Sequence, residues 1–291
     1  MTIRHILIAL LVPLTWGFGF ALAKAGLDHF SPLLLMGMRF LIAATVLVWF
    51  VPVPHGYLRQ ICGISFIAAT LQYGLTFSGL ATIDATPAVL LVQAEVIFGV
   101  IIAALLLGEK PSMRQVVGIA ISCFGILTIV GAPSLEGQIF GVMLILGGTL
   151  AFALGQVLIR RLKGVLTGFQ LTAWMGVMAG PQMILAAMLF EGDLVRQIST
   201  APMVAWGTVL YLGLIMTVVG YSAWYFVLAR YPVPMVMPVL LLLPVATILG
   251  AVSFLGERPD MIVLLGGAIV IAGVGAVIIE PLVSTKRQKP E

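Results

Sequence analysis

Long apolar runs alternate with short polar, glycine or proline breaks from one end of the chain to the other. A helix needs about 20 apolar residues to cross roughly 30 Å of hydrocarbon. Breaking the chain at its punctuation predicts ten such spans, near 6–26, 33–51, 61–80, 86–107, 112–131, 138–159, 168–190, 203–228, 233–255 and 260–280. The connections are short, so consecutive spans must be antiparallel neighbours in one bundle. Only the tail STKRQKPE, within 281–291, lacks the pattern and is expected to be disordered. The opening MTIRH and the apolar run ending in ALA share the outline of a signal peptide. Pro13, Trp16 and Gly17 interrupt that run, and a counterpart opens the second half, so a retained first helix is expected.

One polar phrase occurs twice. LGEKPSM at 107–113 returns 148 residues later as LGERPDM at 255–261, and nine of the nineteen positions from 107 to 125 match those from 255 to 273. The same shift aligns Tyr73 with Tyr221 and Phe77 with Tyr225; a shift of 136 sets Trp16–Lys24 beside Phe152–Arg160. The chain therefore reads as a duplicated five-helix unit, 1–131 and 138–280. Five is odd, so the second copy must enter the membrane from the opposite side. The expected fold is an all-α membrane protein, ten transmembrane helices arranged as two inverted five-helix repeats around a central cavity. Inverted repeats let one sequence build inward and outward gates around a site at the membrane midplane.

Composition agrees with this pattern. Hydrophobic residues make up 61% and charged residues 9%, against about a quarter charged in soluble domains. The formal charge of +4 would point to nucleic acid in a soluble chain, but here it partitions by side. With the N-terminus inside, Arg4, Arg59, Lys110, Arg114, Arg160, Arg161, Lys163, Arg230, Lys286, Arg287 and Lys289 fall on the cytoplasmic side, against Lys24, Arg196 and Arg258 outside. Positive loops stay in the cytoplasm, which places both termini there and excludes a nucleic-acid partner. Cys62 and Cys123 lie in separate apolar runs and are expected to be packed core residues.

Chemistry at membrane depth is sparse. Glu95, in LLVQAEVIFGV, sits about 14 Å into the fourth span at 1.5 Å per residue, where an acid costs about 2.5–3.5 kcal/mol and needs a partner or water. Arg39 lies at similar depth in the second span, and a Glu95–Arg39 pair would satisfy both. Packing, recognition of cargo charge and proton coupling all remain open roles for Glu95. Gln72, Tyr73, Thr76, Gln93, Gln156, Tyr221, Trp224 and Tyr225 add polar or amphipathic groups at depth, suited to interhelical bonds or to a cavity of mixed character. Pro87 opens the fourth span, and Pro232, Pro234, Pro238 and Pro244 interrupt the ninth, freeing backbone carbonyls. Gly108 and Gly256 can end helices at positive φ, with Pro111 and Pro259 starting the next; Glu109 and Glu257 between them are solvated acids or gate residues. Small-residue spacings such as Gly118–Ser122, Gly176–Gly180 and Ala272–Ala276 allow close helix contact. No zinc motif or nucleophile elbow is present, so neither a cofactor nor a catalytic centre is expected. A channel would leave the inverted duplication unexplained.

The stretches LTWGFGFALAK, SPLLLMGMRF, GEKP and GERP, in this order and spacing, resemble the drug/metabolite transporter superfamily, specifically its EamA-type ten-helix members. Within these the chain is most similar to bacterial inner-membrane exporters of amino acids and related metabolites, including the YddG-type aromatic amino-acid exporters. The resemblance covers essentially the whole chain. It implies a cavity lined by spans 1, 3, 4, 6, 8 and 9, alternating access, and a small-molecule cargo, with the lipid bilayer as the other partner; drugs or nucleotide sugars are the alternative cargo. Trp16, Lys24 and Arg39 stand at the family's motif positions, while the second copy has Phe152 for the Trp and Gly176 near the place of the Arg. The candidate binding set is thus Trp16, Gln72, Tyr73, Thr76, Gln93, Glu95, Gln156, Tyr221, Trp224 and Tyr225. Lys24, Arg39, Pro87, Pro238, Pro244, Glu109 and Glu257 are the candidate structural or gating positions.

Overall fold

The structure, a computed structural model, describes residues 3–108, 111–162, 165–228, 230 and 237–284. Eight helices among them are long and apolar enough to cross a membrane: α1 (Ile3–Gly26), α2 (Pro32–Phe50), α3 (Leu58–Thr82), α4 (Ala85–Leu106), α5 (Met113–Val130), α6 (Ile139–Ile159), α7 (Gly168–Phe190) and α8 (Met203–Trp224). Two shorter apolar helices, α9 (Val239–Leu255) and α10 (Met261–Val277), fall where the last two spans are expected. Local chemistry sets several ends. Pro32 occupies the first turn of α2, where no amide donor is needed. Ser112 and Gln115 form a reciprocal capping box at the start of α5. Gly108 and Gly256 close α4 and α9 in the left-handed region, at φ 70° and 67°, which a side chain would resist. Glu109, Lys110, Lys163, Pro232, Pro234 and the tail from 285 lie outside the described residues.

Several helices are not regular. α3 widens into a π segment at Phe66–Leu71 and α8 at Tyr211–Val219. The chain of α4 breaks at Gln93, between Ala85–Val92 and Ala94–Leu107. A 3-10 segment, Met237–Leu242, leads into α9 before its regular part, Leu243–Gly250, starts with Pro244 in its first turn. The second half-helix of α4 and that of α9 begin 149 residues apart, since 243 − 94 = 149, within one residue of the shift that aligns the two copies of the polar phrase.

Glycines set how closely the helices approach. A Cβ on Gly118 would lie 2.8 Å from the carbonyl oxygen of Gly273, and one on Gly125 2.8 Å from that of Gly266. Advancing along α5 therefore means retreating along α10, so the two are antiparallel. At the middle of this seam Ser122 donates to the carbonyl of Val270, 3.4 Å away and 148 residues on. α2 packs on α7 in the same manner, Gly176 against Phe40 and Ala44 and Gly180 against Leu41. α6 lays Gly148 and Gly155 against α3, and Thr247 of α9 donates to the Gly17 carbonyl of α1 at 3.1 Å. Leu105, Phe124, Leu127, Phe140 and Met188 are exposed on the bundle's outer surface, as expected of a face that meets lipid. Cys62 and Cys123 are also exposed, a correction to the packed positions expected for them. Apolar side chains face outward as readily as inward when the solvent is hydrocarbon, so thiol burial in water-soluble proteins does not carry over.

Candidate functional site

Three groups of the predicted residues come together. In the first, Trp16 of α1 donates its indole Nε1 to the Met216 carbonyl at 3.1 Å. Met216 lies in the π segment of α8, where the wider turn leaves carbonyls without regular helical partners. The Trp16 ring sits 4.8 Å from Tyr221 and 6.1 Å from Trp224, and Gly220 leaves the space the indole needs, since a Cβ there would collide with it. Tyr225 follows on the same helix, its side chain outside the described ones.

The second group surrounds Arg39, which is 1% exposed. Its Nε donates to Thr217 Oγ1 at 2.9 Å, and its guanidinium lies 4.8 Å over the Tyr73 ring and 5.3 Å over Phe40. Tyr73 also meets Phe77 at 5.7 Å, and Phe77 meets Phe20 of α1 at the same separation. The possible Glu95–Arg39 pair is therefore not formed: a hydroxyl and two aromatic faces hold the cation. Equal depth in two helices says nothing about the direction each side chain leaves its axis. In the third group, the Thr76 hydroxyl lies against Gly148 of α6 and Gln72 Nε2 is 3.5 Å from Thr76 Oγ1, while the buried Gln72 Oε1 has no hydrogen-bond donor among the described residues.

Gln93 and Glu95 flank the break in α4. Gln93 is buried, and its amide reaches back three residues to Leu90 at 3.3 Å, the tight turn that separates the two half-helices. Glu95 stands in the first turn of the second half-helix, where the positive end of the helix dipole favours a carboxylate. Pro87 lies buried in the first turn of α4. Pro244 begins the regular part of α9, and the side chain of Pro238 lies outside the described ones. Gln156 is exposed on α6, on the side where Val142, Ile145 and Thr149 are buried.

The end carrying the second polar phrase is held by carboxylates. Glu257 accepts from the Ala85 amide at 2.7 Å, the Thr86 amide at 3.1 Å and the Thr86 hydroxyl at 2.8 Å, capping α4. Glu191, after α7, caps α2 through the Leu33 and Leu34 amides at 2.8 and 3.1 Å, and Gln197 takes the Ser31 amide at 2.8 Å. Lys24 donates to the Leu80 and Ala81 carbonyls at the end of α3, at 2.8 and 3.3 Å. Lys24, Asp28, Asp84 and Glu257 surround a pocket of 210 Å³. Glu191 and Gln197 were missed from the sequence; an acid in a polar loop carries no signal that its partner is a helix end far along the chain. The solvated role open to Glu257 is likewise replaced by a cap.

Residues 3–131 and 139–279 each match the EamA-like transporter family. The chain is 29% identical over 275 residues to a protein of Escherichia coli (strain K12) named a probable amino-acid metabolite efflux pump, covering 91% of this chain and 92% of the relative. A Salmonella typhimurium protein of the same name is 30% identical over 278 residues, with the same coverage of 91% and 92%. A solved crystal structure with 20% identity shares the fold over 96% of this chain and 98% of its own, at a TM-score of 0.67.

Proposed function

This chain belongs to the EamA-like transporter family, and we propose that it exports small amino acids or related metabolites across a bacterial inner membrane by alternating access. It is a multi-pass membrane transporter rather than an enzyme. The names of the Escherichia coli and Salmonella relatives support amino-acid cargo over drugs or nucleotide sugars. The observation that carries the mechanism is the paired interruption of α4 and α9 at matching repeat positions, because discontinuous helices in corresponding places mark the binding region of repeat transporters. Antiparallel α5 and α10, and the π segments shared by α3 and α8, support two inverted halves, 1–131 and 138–280, around a central cavity.

In this reading Glu95 receives the cargo's ammonium group, with Gln93, Gln72 and Gln156 as further polar contacts. Trp16, Tyr221 and Trp224 take its apolar part, with Tyr73, Thr76 and Tyr225 completing the wall. Arg39 bridges α2 to the π segment of α8 and fixes their register; Lys24, Glu109 and Glu257 act at the ends, and Pro87, Pro238 and Pro244 shape the broken helices. The capped end is extracytoplasmic and closed, while the exposed Gln156 lies toward the cytoplasm, so the conformation is the one that admits cargo from inside.

Purified protein in liposomes should show saturable flux of labelled amino acids. Glu95→Gln should lower that flux about tenfold or more, the scale of a lost hydrogen bond to a charged group, while Glu109→Gln at equal abundance should lower it far less. Equal flux from both variants would remove Glu95 from the site, and unsaturable flux would indicate a channel. The inverted topology is checked separately by single cysteines at positions 110 and 258, which should react with impermeant reagents from opposite faces of the membrane. Labelling of both from one face would end the inverted-repeat reading.

A further inference from the structure

A second groove lies at the other end of the bundle, away from Glu191 and Glu257. It has a volume of 590 Å³ and runs between the start of α3 and the last turn of α6, whose helix extends to Arg161, with the chain just beyond. Arg59 and Arg161 stand at its polar edge, no carboxylate lines it among the described residues, and Ile64, Ile67, Leu158 and Leu162 form its floor.

The face of α6 on which the groove lies decides what can enter it. Met143 and Leu150 are exposed on α6, and positions 154, 158 and 161 continue that stripe at the spacing of three and four that keeps residues on one side of a helix. Val142, Ile145 and Thr149, all buried, and Gln156 occupy the other side. The groove therefore opens toward lipid and not toward the interior that would carry cargo.

Its polar edge is built to take a negative charge. Arg161 donates one Nη2 bond to the Leu106 carbonyl at the end of α4, 3.1 Å away, which orients the guanidinium and leaves four of its five donors. Tyr57, the N-cap of α3, supplies no side-chain acceptor, so the first-turn amides beside Arg59 keep their partial positive charge. Cations above an apolar floor at a membrane surface match a phosphate headgroup with its acyl chain below, and basic recesses between transmembrane helices on the cytoplasmic side bind such headgroups.

We propose that this groove is a binding site for one anionic phospholipid, whose phosphate is held by Arg59 and Arg161 and whose acyl chain lies on Ile64, Ile67, Leu158 and Leu162. The lipid bridges α3 to α6, and through the Arg161–Leu106 bond it also fastens the end of α4. The site rests on the proposed membrane orientation, in which this end is cytoplasmic, but not on the identity of the cargo.

Native mass spectrometry of the full chain in detergent, titrated with phosphatidylglycerol or with phosphatidylcholine, tests it. The wild type should bind one phosphatidylglycerol in clear preference to phosphatidylcholine. Arg59→Gln/Arg161→Gln should weaken that binding about tenfold or more, given the contribution of each basic residue near a membrane surface. Leu158→Glu should weaken it with both arginines intact, while Arg114→Gln, an exposed cation at the same end, should not. Equal binding of the two lipids, unchanged binding in both groove variants, or displacement of the lipid by inorganic phosphate alone would overturn the assignment. Loss of amino-acid flux in liposomes with lipid binding preserved would instead count against the transport reading and leave the lipid site standing.

Discussion

Glu257→Gln should open the carboxylate-capped end of the bundle, raising the reactivity of a cysteine placed at Leu80 toward an impermeant reagent by about tenfold. Leu80 is fully buried one turn from the end of α3, so it reports on whether that end has parted. The carboxylate of Glu257 holds three donors on the first turn of α4. Hydrogen bonds to a charged group contribute about 1.5–3 kcal/mol each, and about 1.4 kcal/mol changes a two-state ratio tenfold. Glutamine retains one acceptor oxygen and loses the charge that the helix end favours. In a background without Cys62 and Cys123, Glu136→Gln should leave the rate unchanged, because the Glu136 side chain is exposed and accepts from no helix amide among the described residues. Glu191→Gln acts on α2 through separate donors, so its effect should add to that of Glu257→Gln. A rate that stays at the wild-type value in the double variant would show that these caps do not hold the closed state.

The two ends cannot be latched alike. At the repeat shift of 148, Thr86 corresponds to position 234, a proline. Proline has no amide hydrogen and no hydroxyl, so two of the three donors that Glu257 uses have no equivalent for Glu109. The pseudo-symmetry expected from the repeated phrase is therefore broken in its chemistry. That asymmetry is visible in the sequence only once the structure has shown which donors the second glutamate takes.

Much of the helical framework was legible because its signals are local. Apolar runs, Gly108 and Gly256 at helix ends, and Ser112 before Gln115 each act within a few residues. The interruptions were legible only in part. Pro244 announces the start of a new helical segment in α9, whereas nothing in LVQAEV marks Gln93 as a break, since no proline or glycine is present. Arg39 shows the same limit. Rise per residue says how far along a helix Arg39 stands, but its partners depend on a carbonyl ladder loosened by a π segment in α8 and on a hydroxyl, Thr217, that donates to Leu212 five residues back at 2.8 Å. Helix existence is local; the azimuth of a side chain and the identity of its partner are settled between segments far apart in the chain.

Gly125→Leu should be strongly destabilising at the seam between α5 and α10. A Cβ at Gly125 would stand 2.7 Å from the Val270 amide nitrogen and 2.8 Å from the Gly266 carbonyl oxygen, both backbone atoms that no rotamer change can move. Overpacking of this kind costs about 1–3 kcal/mol or more, and a drop in Tm of about 10 °C is expected on the scale of a 3 kcal/mol loss. Gly99→Leu is the control, since nothing lies within 4 Å of a Cβ built there. The seam also allows orientation to be read by thermodynamics alone. Because α5 and α10 run antiparallel, Gly125 shares its contact with Gly266 and Gly118 shares its own with Gly273. Leucine at both members of one such pair forces apart a single contact that one leucine has already opened, so the double should cost clearly less than the sum of the singles. Gly118 and Gly266 occupy equivalent repeat positions, 148 residues apart, at opposite ends of the seam and should be close to additive. Coupling within 125–266 and 118–273, with none between 118 and 266, is the pattern of an inverted pair of helices; a parallel pair would couple the equivalent positions instead.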